Sequence, residues 1–215
     1  MKLRQILLTG LVLFLFAALG SGLVAFTHEQ TQERIAANEK AALLRNLHQL
    51  IHPEEHDNDL LADTLEVRDP GLLGTRAAVT VYRAYLGGRP VAVILTPVAP
   101  DGYNGTIRLL VGIRADGTLL GVRVLSHHET PGLGDQIEVE RSDWILGFAG
   151  KSLGNPPEKR WAVKKDGGAF DQFTGATITP RAVVKAVKRT LIYFRKHREA
   201  LFRKTADTRV EQDAD

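Results

Sequence analysis

The chain contains no cysteine. This absence excludes disulfide bonds, cysteine-ligated iron–sulfur clusters, thiol catalysis and c-type haem attachment. Any redox chemistry must therefore come from a cofactor that other side chains hold. The same absence leaves the cellular compartment open, because oxidising and reducing compartments are distinguished by how cysteines are used.

The sequence also lacks a strong charge of either sign and the common nucleotide-binding patterns. Its 28 Lys and Arg and 25 Asp and Glu give a net charge of +3, so nucleic acid is not an expected partner. No G-x-G-x-x-G opens a βαβ unit, which leaves a Rossmann nicotinamide site without support. Gly150-Lys151-Ser152 imitates the end of a P-loop, but Ile145 stands where that pattern requires glycine.

One long apolar run begins close to the N-terminus. Residues 6–26 carry no charge and are rich in Leu, Val, Phe and Ala, and about 20 such residues suffice for a helix to cross a bilayer. Lys2 and Arg4 precede the run, so the positive-inside rule places the N-terminus in the cytoplasm and the rest of the chain outside. A cleaved signal peptide is the alternative, but the run is longer than the usual apolar core of a signal and no Ala-x-Ala site closes it.

The remaining pattern predicts an α+β fold, with a single N-terminal transmembrane helix followed by one domain of an antiparallel sheet and helices. We expect a cytoplasmic start and anchor, a stalk helix, a soluble domain and a disordered tail at residues 1–27, 28–52, 53–203 and 204–215, respectively. Strands are expected at residues 77–86, 91–96, 106–114 and 118–125. Gly87-Gly88 and Asp116-Gly117 supply the turns of two hairpins.

Outside these hairpins, the sequence predicts a loop at residues 97–104, a helix at residues 136–148 and a short final strand at residues 161–164. The C-terminal helix is expected to have Thr179 as its N-cap and Pro180 as its first residue. Its apolar side chains recur every three or four residues, at Val184, Val187, Leu191 and Phe194.

Two histidine-containing segments invite comparison with metal sites. In residues 52–57, His-Pro-Glu-Glu-His-Asp, the proline breaks the helix that would align the ligands, which favours a solvated acidic loop. His127 and His128 are adjacent on an expected strand, so they point to opposite faces and cannot jointly hold one ion. We therefore expect no metal and no catalytic side chain.

The stretch that organises the chain is Asp171-Gln172-Phe173-Thr174-Gly175-Ala176-Thr177-Ile178-Thr179-Pro180. Here a small, hydroxyl-rich loop enters the C-terminal helix. Free N–H groups and the positive end of the helix dipole make such a place a natural phosphate site. Gly175 and Ala176 let a ligand approach the backbone closely, and Thr177 lies at the tip. Taken alone, the stretch is also consistent with a simple helix entry.

The wider pattern resembles a known motif. Asp171, two further residues and Thr174-Gly175-Ala176-Thr177 resemble the flavinylation motif of the FMN-binding domains found in Rnf and Na⁺-translocating NADH:quinone reductase complexes. In that family a transferase joins FMN through its phosphate to the last threonine of the motif. The resemblance therefore implies a covalent FMN phosphoester on Thr177, with Asp171, Thr174, Gly175 and Ala176 around the cofactor.

A second segment is His127-His128-Glu129-Thr130-Pro131-Gly132-Leu133-Gly134-Asp135, between an expected strand and an expected helix. Taken alone, it is a turn that glycine and proline make possible. The same family carries a similar segment packed against the flavin. The resemblance implies that Glu129 and Thr130 offer polar groups to FMN, and that the pocket is shaped by the backbone of Pro131, Gly132, Leu133 and Gly134.

The resemblance extends from Ile6 to about Arg198 and is closest to the family of G subunits of bacterial Rnf (Rsx) complexes. It implies a membrane-anchored flavoprotein subunit of an ion-translocating oxidoreductase. Such a protein lies in the bacterial inner membrane with its soluble domain in the periplasm. A flavin transferase matures it, and it relays electrons among other membrane subunits, so the isolated chain is an electron carrier.

Two alternatives remain open at this point. The first is the FMN-carrying C subunit of the Na⁺-translocating NADH:quinone reductase, which shares the flavin loops but is a longer chain. The second is a non-redox module, an anchored binding or scaffold domain whose Thr-Gly-Ala-Thr loop merely caps a helix. The basic segment at residues 195–204 is a mild departure from the family and has no interpretation.

Overall fold

The computed structural model describes residues 2–203, and the chain divides after Arg45 into two compact units. The first unit belongs to helix α1, Lys2–His48. Leucine and phenylalanine side chains are exposed along this part of the helix, among them Leu7, Phe14 and Leu23. The helix is long and apolar enough to cross a membrane. The predicted disordered tail, residues 204–215, lies outside the described residues.

In the second unit, α1 ends in a tight turn. The amides of Leu50 and Ile51 both donate to the carbonyl of Leu47, at 3.0 and 2.9 Å, and all three side chains are buried. The remaining helices are short except for the last one. They are α2, Pro70–Leu73, and α3, Ile178–Phe202, with 3₁₀ helices at Pro53–Glu55, Gly134–Ile137, Asp143–Phe148, Glu158–Arg160 and Lys164–Asp166.

The second unit is built on a six-stranded antiparallel sheet. Its strands are β1 (Thr64–Val67), β2 (Val79–Leu86), β3 (Arg89–Leu95), β4 (Val98–Gly102), β5 (Gly105–Arg114) and β6 (Leu119–Ser126). Strand β5 lies at the centre, because β3 and β4 pair with one of its edges and β6 pairs with the other. The predicted α+β architecture with an antiparallel sheet is confirmed.

The four expected strands are present, but the sequence does not predict β1 or β4. Strand β4 occupies most of the expected loop at residues 97–104, so that expectation is wrong. Pro100 and Gly102 argue against a central strand. Strand β4 lies at the edge of the sheet and pairs with β5 at Val98, Ala99 and Gly102, where both residue types are tolerated.

Two other expectations about secondary structure are also wrong. Residues 136–148 do not form one helix, because the chain between the two 3₁₀ helices is held by Ser142. Its hydroxyl donates to the Gln136 carbonyl at 2.6 Å and accepts from the Trp144 amide at 3.2 Å. The second of these bonds caps the N-terminus of a separate 3₁₀ helix, Asp143–Phe148. Residues 161–164 form only a single bridge, between Val163 and Phe170, instead of a strand.

Helix α3 covers one face of the sheet, and its apolar face is the one that the sequence predicts. Val184, Val187, Leu191 and Phe194 are each at most 2% exposed. They share the core with Val93, Leu95, Leu109 and Val111 from the sheet and with an aromatic group of Phe148, Trp161 and Phe170. The Phe148 and Phe170 rings stack with their centroids 4.8 Å apart.

The start of α3 differs from the prediction. The helix begins at Ile178, and Thr177 occupies the capping position without a side-chain capping bond. Thr179 is not the N-cap, because it lies inside the first turn, is 1% exposed and donates its hydroxyl hydrogen bond to Glu129. Pro180 is still in the first turn, where its missing N–H costs nothing.

The other end of α3 is held by two side chains from β2. Arg83 Nη1 donates to the Arg203 carbonyl at 2.7 Å, and the Tyr85 hydroxyl donates to the Phe202 carbonyl at 2.8 Å. Arg83 is buried and forms an ion pair with Asp63 at 2.5 Å. One buried cation thus satisfies both a carboxylate and a carbonyl at the end of the helix, where cations are favoured.

Replacing Arg83 by leucine should destabilise the second unit strongly. The substitution leaves the Arg203 carbonyl without its donor and the Asp63 carboxylate without its cation, although Asn58 Nδ2 still donates to that carboxylate at 3.3 Å. This loss should cost about 3 kcal/mol and lower the melting temperature by roughly 6–12 °C. Arg114→Leu is the matched control, because Arg114 pairs with Glu55 at 2.9 Å at the surface and should cost less than about 1 kcal/mol. Near-UV circular dichroism of Trp144 and Trp161 follows the unfolding. Equal shifts in the two variants would contradict the prediction.

Candidate functional site

A cavity of about 290 Å³ opens where three segments of the second unit meet. The segments are the turn between β4 and β5, the loop after β6 and the loop that enters α3. Seven of the predicted site residues line this cavity, namely Glu129, Thr130, Leu133, Gly134, Gly175, Ala176 and Thr177. The two stretches that the sequence singles out are therefore brought together in space.

The other four predicted site residues lie outside the cavity wall. Pro131, Gly132 and Thr174 are exposed. The carboxylate of Asp171 forms an ion pair with Lys164 at 2.5 Å, while the backbone carbonyl of the same residue accepts a hydrogen bond from the Trp144 indole N–H at 2.8 Å. These contacts indicate that Asp171 stabilises the loop and does not line the cavity.

The loop that enters α3 is a tight turn with a buried residue at its start. Phe173 is 7% exposed, and its carbonyl accepts from the amide of Ala176 at 3.2 Å. Gly175 has a φ of 81°, which this position of a type II turn requires and which glycine adopts without strain. The turn carries the chain from the core at Phe173 to the cavity at Thr177.

Thr177 stands next to unused backbone donors. Within residues 2–203, the amides of Thr177, Ile178 and Thr179 have no protein acceptor. Pro180 has no N–H, and the amide of Arg181 donates to the Thr177 carbonyl at 3.3 Å. Because the positive end of the α3 dipole lies at the same place, the arrangement suits a phosphate group beside the Thr177 side chain.

The basic side chains on the first turns of α3 are already paired. Lys185 donates a hydrogen bond to Asp101 at 2.5 Å, and this bond is the main reason that the pKa of the Asp101 carboxyl is held below its usual range. Arg181 donates to Asp166 at 2.6 and 2.8 Å and lowers the pKa of that carboxyl in the same way. The unpaired amides at the start of the helix, more than these side chains, are therefore the groups suited to an anion.

Glu129 lines the cavity, but protein groups occupy both of its carboxylate oxygens. Its Oε1 accepts from the amide of Asn104 at 3.0 Å, and its Oε2 accepts from the hydroxyl of Thr179. Asn104 also donates from its side-chain amide to the Thr130 hydroxyl at 3.1 Å. The loop after β6 is thus tied both to the β4–β5 turn and to the start of α3.

His127 stabilises this loop through hydrogen bonds made outside the cavity. Its Nδ1 accepts from the amide of Glu129 at 2.9 Å, so its hydrogen is on Nε2, which donates to Glu138 at 2.9 Å. The side chain of His127 is 10% exposed. His127 therefore acts as a support of the loop and does not line the cavity.

The rim of the cavity is apolar. In the described part of the second unit, the exposed large apolar side chains are Leu86, Tyr103, Leu133, Leu146 and Ile178. Tyr103, Leu133 and Ile178 all line the cavity, with exposed fractions of 65%, 42% and 45%. An apolar rim around a few convergent polar groups is typical of a small-molecule site.

Three cavity residues are not among the predicted site residues: Tyr103, Ile178 and Thr179. Ile178 and Thr179 belong to the organising stretch, but only the register of α3 decides which of its side chains face the cavity. Tyr103 lies in the turn that joins β4 to β5. Because the sequence does not predict β4, it offers no signal that places this turn beside the loop after β6.

Comparison with known proteins agrees with this geometry. The FMN-binding domain family matches residues 102–192, and the RnfG N-terminal region matches residues 1–50. Among the similar proteins is the G subunit of an ion-translocating oxidoreductase complex from Shewanella loihica, 50% identical over 98% of this chain and 99% of its own length.

Two further relatives are G subunits of such complexes as well. The one from Pseudomonas aeruginosa is 53% identical over 92% of each chain, and the one from Vibrio atlanticus is 51% identical over 93% of this chain and 95% of its own. The residues that form the cavity all lie within the match to the FMN-binding domain. The chain therefore belongs to the family of G subunits of ion-translocating oxidoreductase complexes and contains that family's FMN-binding domain.

Proposed function

We propose that this protein is the membrane-anchored flavoprotein subunit of an Rnf-type ion-translocating oxidoreductase, and that it relays electrons through FMN esterified to Thr177. The observation that carries the proposal is the position of Thr177, at the mouth of a cavity and beside unpaired amides at the start of α3. This cavity lies within an FMN-binding domain.

The residues of the cavity fit FMN. The amides at the start of α3 suit the phosphate, and the side chains of Tyr103, Leu133 and Ile178 provide apolar surface for a flat ring. Gly175 and Ala176 leave the backbone accessible beside Thr177. A cavity of about 290 Å³ is at the lower limit for small-molecule sites, about 300–1,000 Å³, so part of the ligand would stay at the surface.

Each part of the chain has one task in this function. FMN, when bound, supplies a redox group that can connect two-electron and one-electron partners. Thr177 retains the cofactor, the start of α3 holds its phosphate, and the open cavity leaves it accessible to neighbouring subunits. Since the chain has no cysteine, any cysteine-ligated iron–sulfur cluster of such a complex must belong to other subunits.

The mass of the protein tests whether FMN is attached at Thr177. The ester forms when the Thr177 oxygen bonds to phosphorus, the hydroxyl proton is lost and a P–O bond of the flavin donor breaks. The leaving group is hydroxide if the donor is FMN, or a nucleoside monophosphate if the donor is a flavin dinucleotide, and in both cases the chain gains the mass of one FMN less one water. Co-expression with a flavin transferase should give this adduct on the unsubstituted chain and on Thr177→Ser, which keeps a hydroxyl. Thr177→Val should give none while retaining the circular dichroism of the fold. An adduct of the same mass on Thr177→Val would rule out the assignment.

The second part of the proposal concerns topology. Lys2 and Arg4 precede the apolar part of α1, so the chain should cross the bacterial inner membrane once with its second unit in the periplasm. Alkaline phosphatase fused after Asp215 should therefore be active, and the same fusion lacking residues 1–27 should be inactive. High activity of a cytoplasm-dependent reporter at the same position would reverse the orientation.

The third part concerns the chain by itself. It has no dinucleotide fingerprint beside its flavin site, so the isolated protein should carry electrons without turning over NADH. In the purified, flavinylated full-length chain, dithionite should bleach the flavin absorbance fully, whereas NADH should leave it almost unchanged. Dithionite serves as the control that the flavin is reducible. Fast and saturable bleaching by NADH would show a substrate site and a free-standing reductase.

A further inference from the structure

Two polar residues that line the cavity are almost fully buried. Thr179 is 1% exposed and Glu129 is 5% exposed, and the Thr179 hydroxyl donates to Glu129 Oε2. The other carboxylate oxygen accepts from the Asn104 amide at 3.0 Å. With both oxygens engaged by protein donors, the carboxylate joins three segments of the chain.

Two glycines provide the space for this contact. A Cβ on Gly134 would lie 2.7 Å from Glu129 Oε2 and 3.0 Å from Thr179 Oγ1, and a Cβ on Gly102 would lie 2.9 Å from Glu129 Oε1. Neither glycine has a positive φ. At Gly134 the lack of a side chain is therefore explained by the approach of the Glu129 side chain, whereas at Gly102 the backbone carbonyl of Gly105 lies still closer to the position of a Cβ than the carboxylate does.

The contact matters because of where Thr179 lies. Thr177 occupies the N-cap position without a side-chain capping bond, and Pro180 cannot donate a backbone bond. Thr179 lies two residues after Thr177, inside the first turn of α3. Its bond to Glu129 thus holds a turn that lacks the usual cap.

Glu129 is itself held in place. Its amide donates to His127 Nδ1 at 2.9 Å, and the opposite ring nitrogen of His127 donates to Glu138 at 2.9 Å. The carboxylate is therefore attached to a backbone that has its own support, as a group that orients another residue must be.

We propose that Glu129 and Thr179 are positioning residues, whose buried hydrogen bond fixes the first turn of α3 so that Thr177 presents its hydroxyl at the cavity for FMN attachment. This inference rests on the proposed function of Thr177. Glu129 thereby acts through Thr179, and the other residues that line the cavity would hold FMN.

The test uses the full-length chain in detergent, first without FMN. The amide of Arg181 donates to the Thr177 carbonyl, so its hydrogen exchange reports the position of Thr177 directly. Thr179→Val should raise this exchange about tenfold, because a buried bond to a carboxylate is lost. Thr179→Ser, which keeps the hydroxyl, should restore exchange close to that of the unsubstituted chain.

The matched control is Thr190→Val. Thr190 is also a buried threonine of α3, but its hydroxyl bonds only to the Ala186 carbonyl within the helix, at 2.9 Å. This variant should leave the exchange at Arg181 unchanged. If Thr179→Val does not fold, Thr179→Ala takes its place, and its circular dichroism is compared with that of Thr190→Val.

The second readout is the initial rate of FMN attachment by flavin transferase. It should fall about tenfold in Thr179→Val and in Glu129→Ala, because a displaced hydroxyl reacts more slowly, and no further in the double variant if the two residues act as a pair. Equal attachment rates in all variants, or unchanged exchange at Arg181 in Thr179→Val, would overturn the positioning role. An unsubstituted chain without any adduct would instead contradict the proposed function of Thr177.

Discussion

The burial of one face of α3 against the sheet determines where the site lies. Each apolar side chain on this face contributes about 1.5–3 kcal/mol when it is fully buried, so the helix axis is held by Val187, Leu191 and their neighbours. The two ends of the helix then depend on polar contacts. Arg83 and Tyr85 satisfy the last carbonyls, whereas the first amides stay unpaired beside Thr177. Because its two ends differ in this way, the start of the packed helix is suited to an anion whereas its other end is not.

The fold and the location of the site follow from local patterns that a single sequence displays. The apolar period of α3, the hairpin at Gly87-Gly88 and the long uncharged run of α1 each depend on neighbouring residues. The contacts that complete the site depend instead on residues that are far apart in the sequence. Glu129 and Thr179 are 50 residues apart in the chain, and nothing near Thr179 distinguishes a buried partner from an N-cap. Strand β4 escapes prediction for a related reason, because its proline and glycine are tolerated only at the edge of the sheet that it occupies.

Full-length similarity bears on the alternatives that the residues leave open. The relatives that are G subunits are about as long as this chain, and the match to the RnfG N-terminal region includes the anchor. The C subunit of the Na⁺-translocating reductase, as a longer chain, fits less well. A scaffold whose threonine merely caps a helix is also disfavoured by the geometry, because Thr177 makes no capping bond and Thr179, the better capping candidate by sequence, is buried against Glu129.

The size of the cavity gives a physical reason for the covalent attachment that we propose at Thr177. A cavity of about 290 Å³ can enclose only part of a flavin nucleotide, and an incompletely enclosed ligand gains less binding energy from burial. Deepening the cavity would retain the cofactor but would also separate it from the neighbouring subunits with which it must exchange electrons. An ester to Thr177 removes this conflict, because retention then depends on a bond and no longer on burial. The cavity is left with the task of orientation, which the rigid start of α3 and the apolar rim of Tyr103, Leu133 and Ile178 are suited to perform.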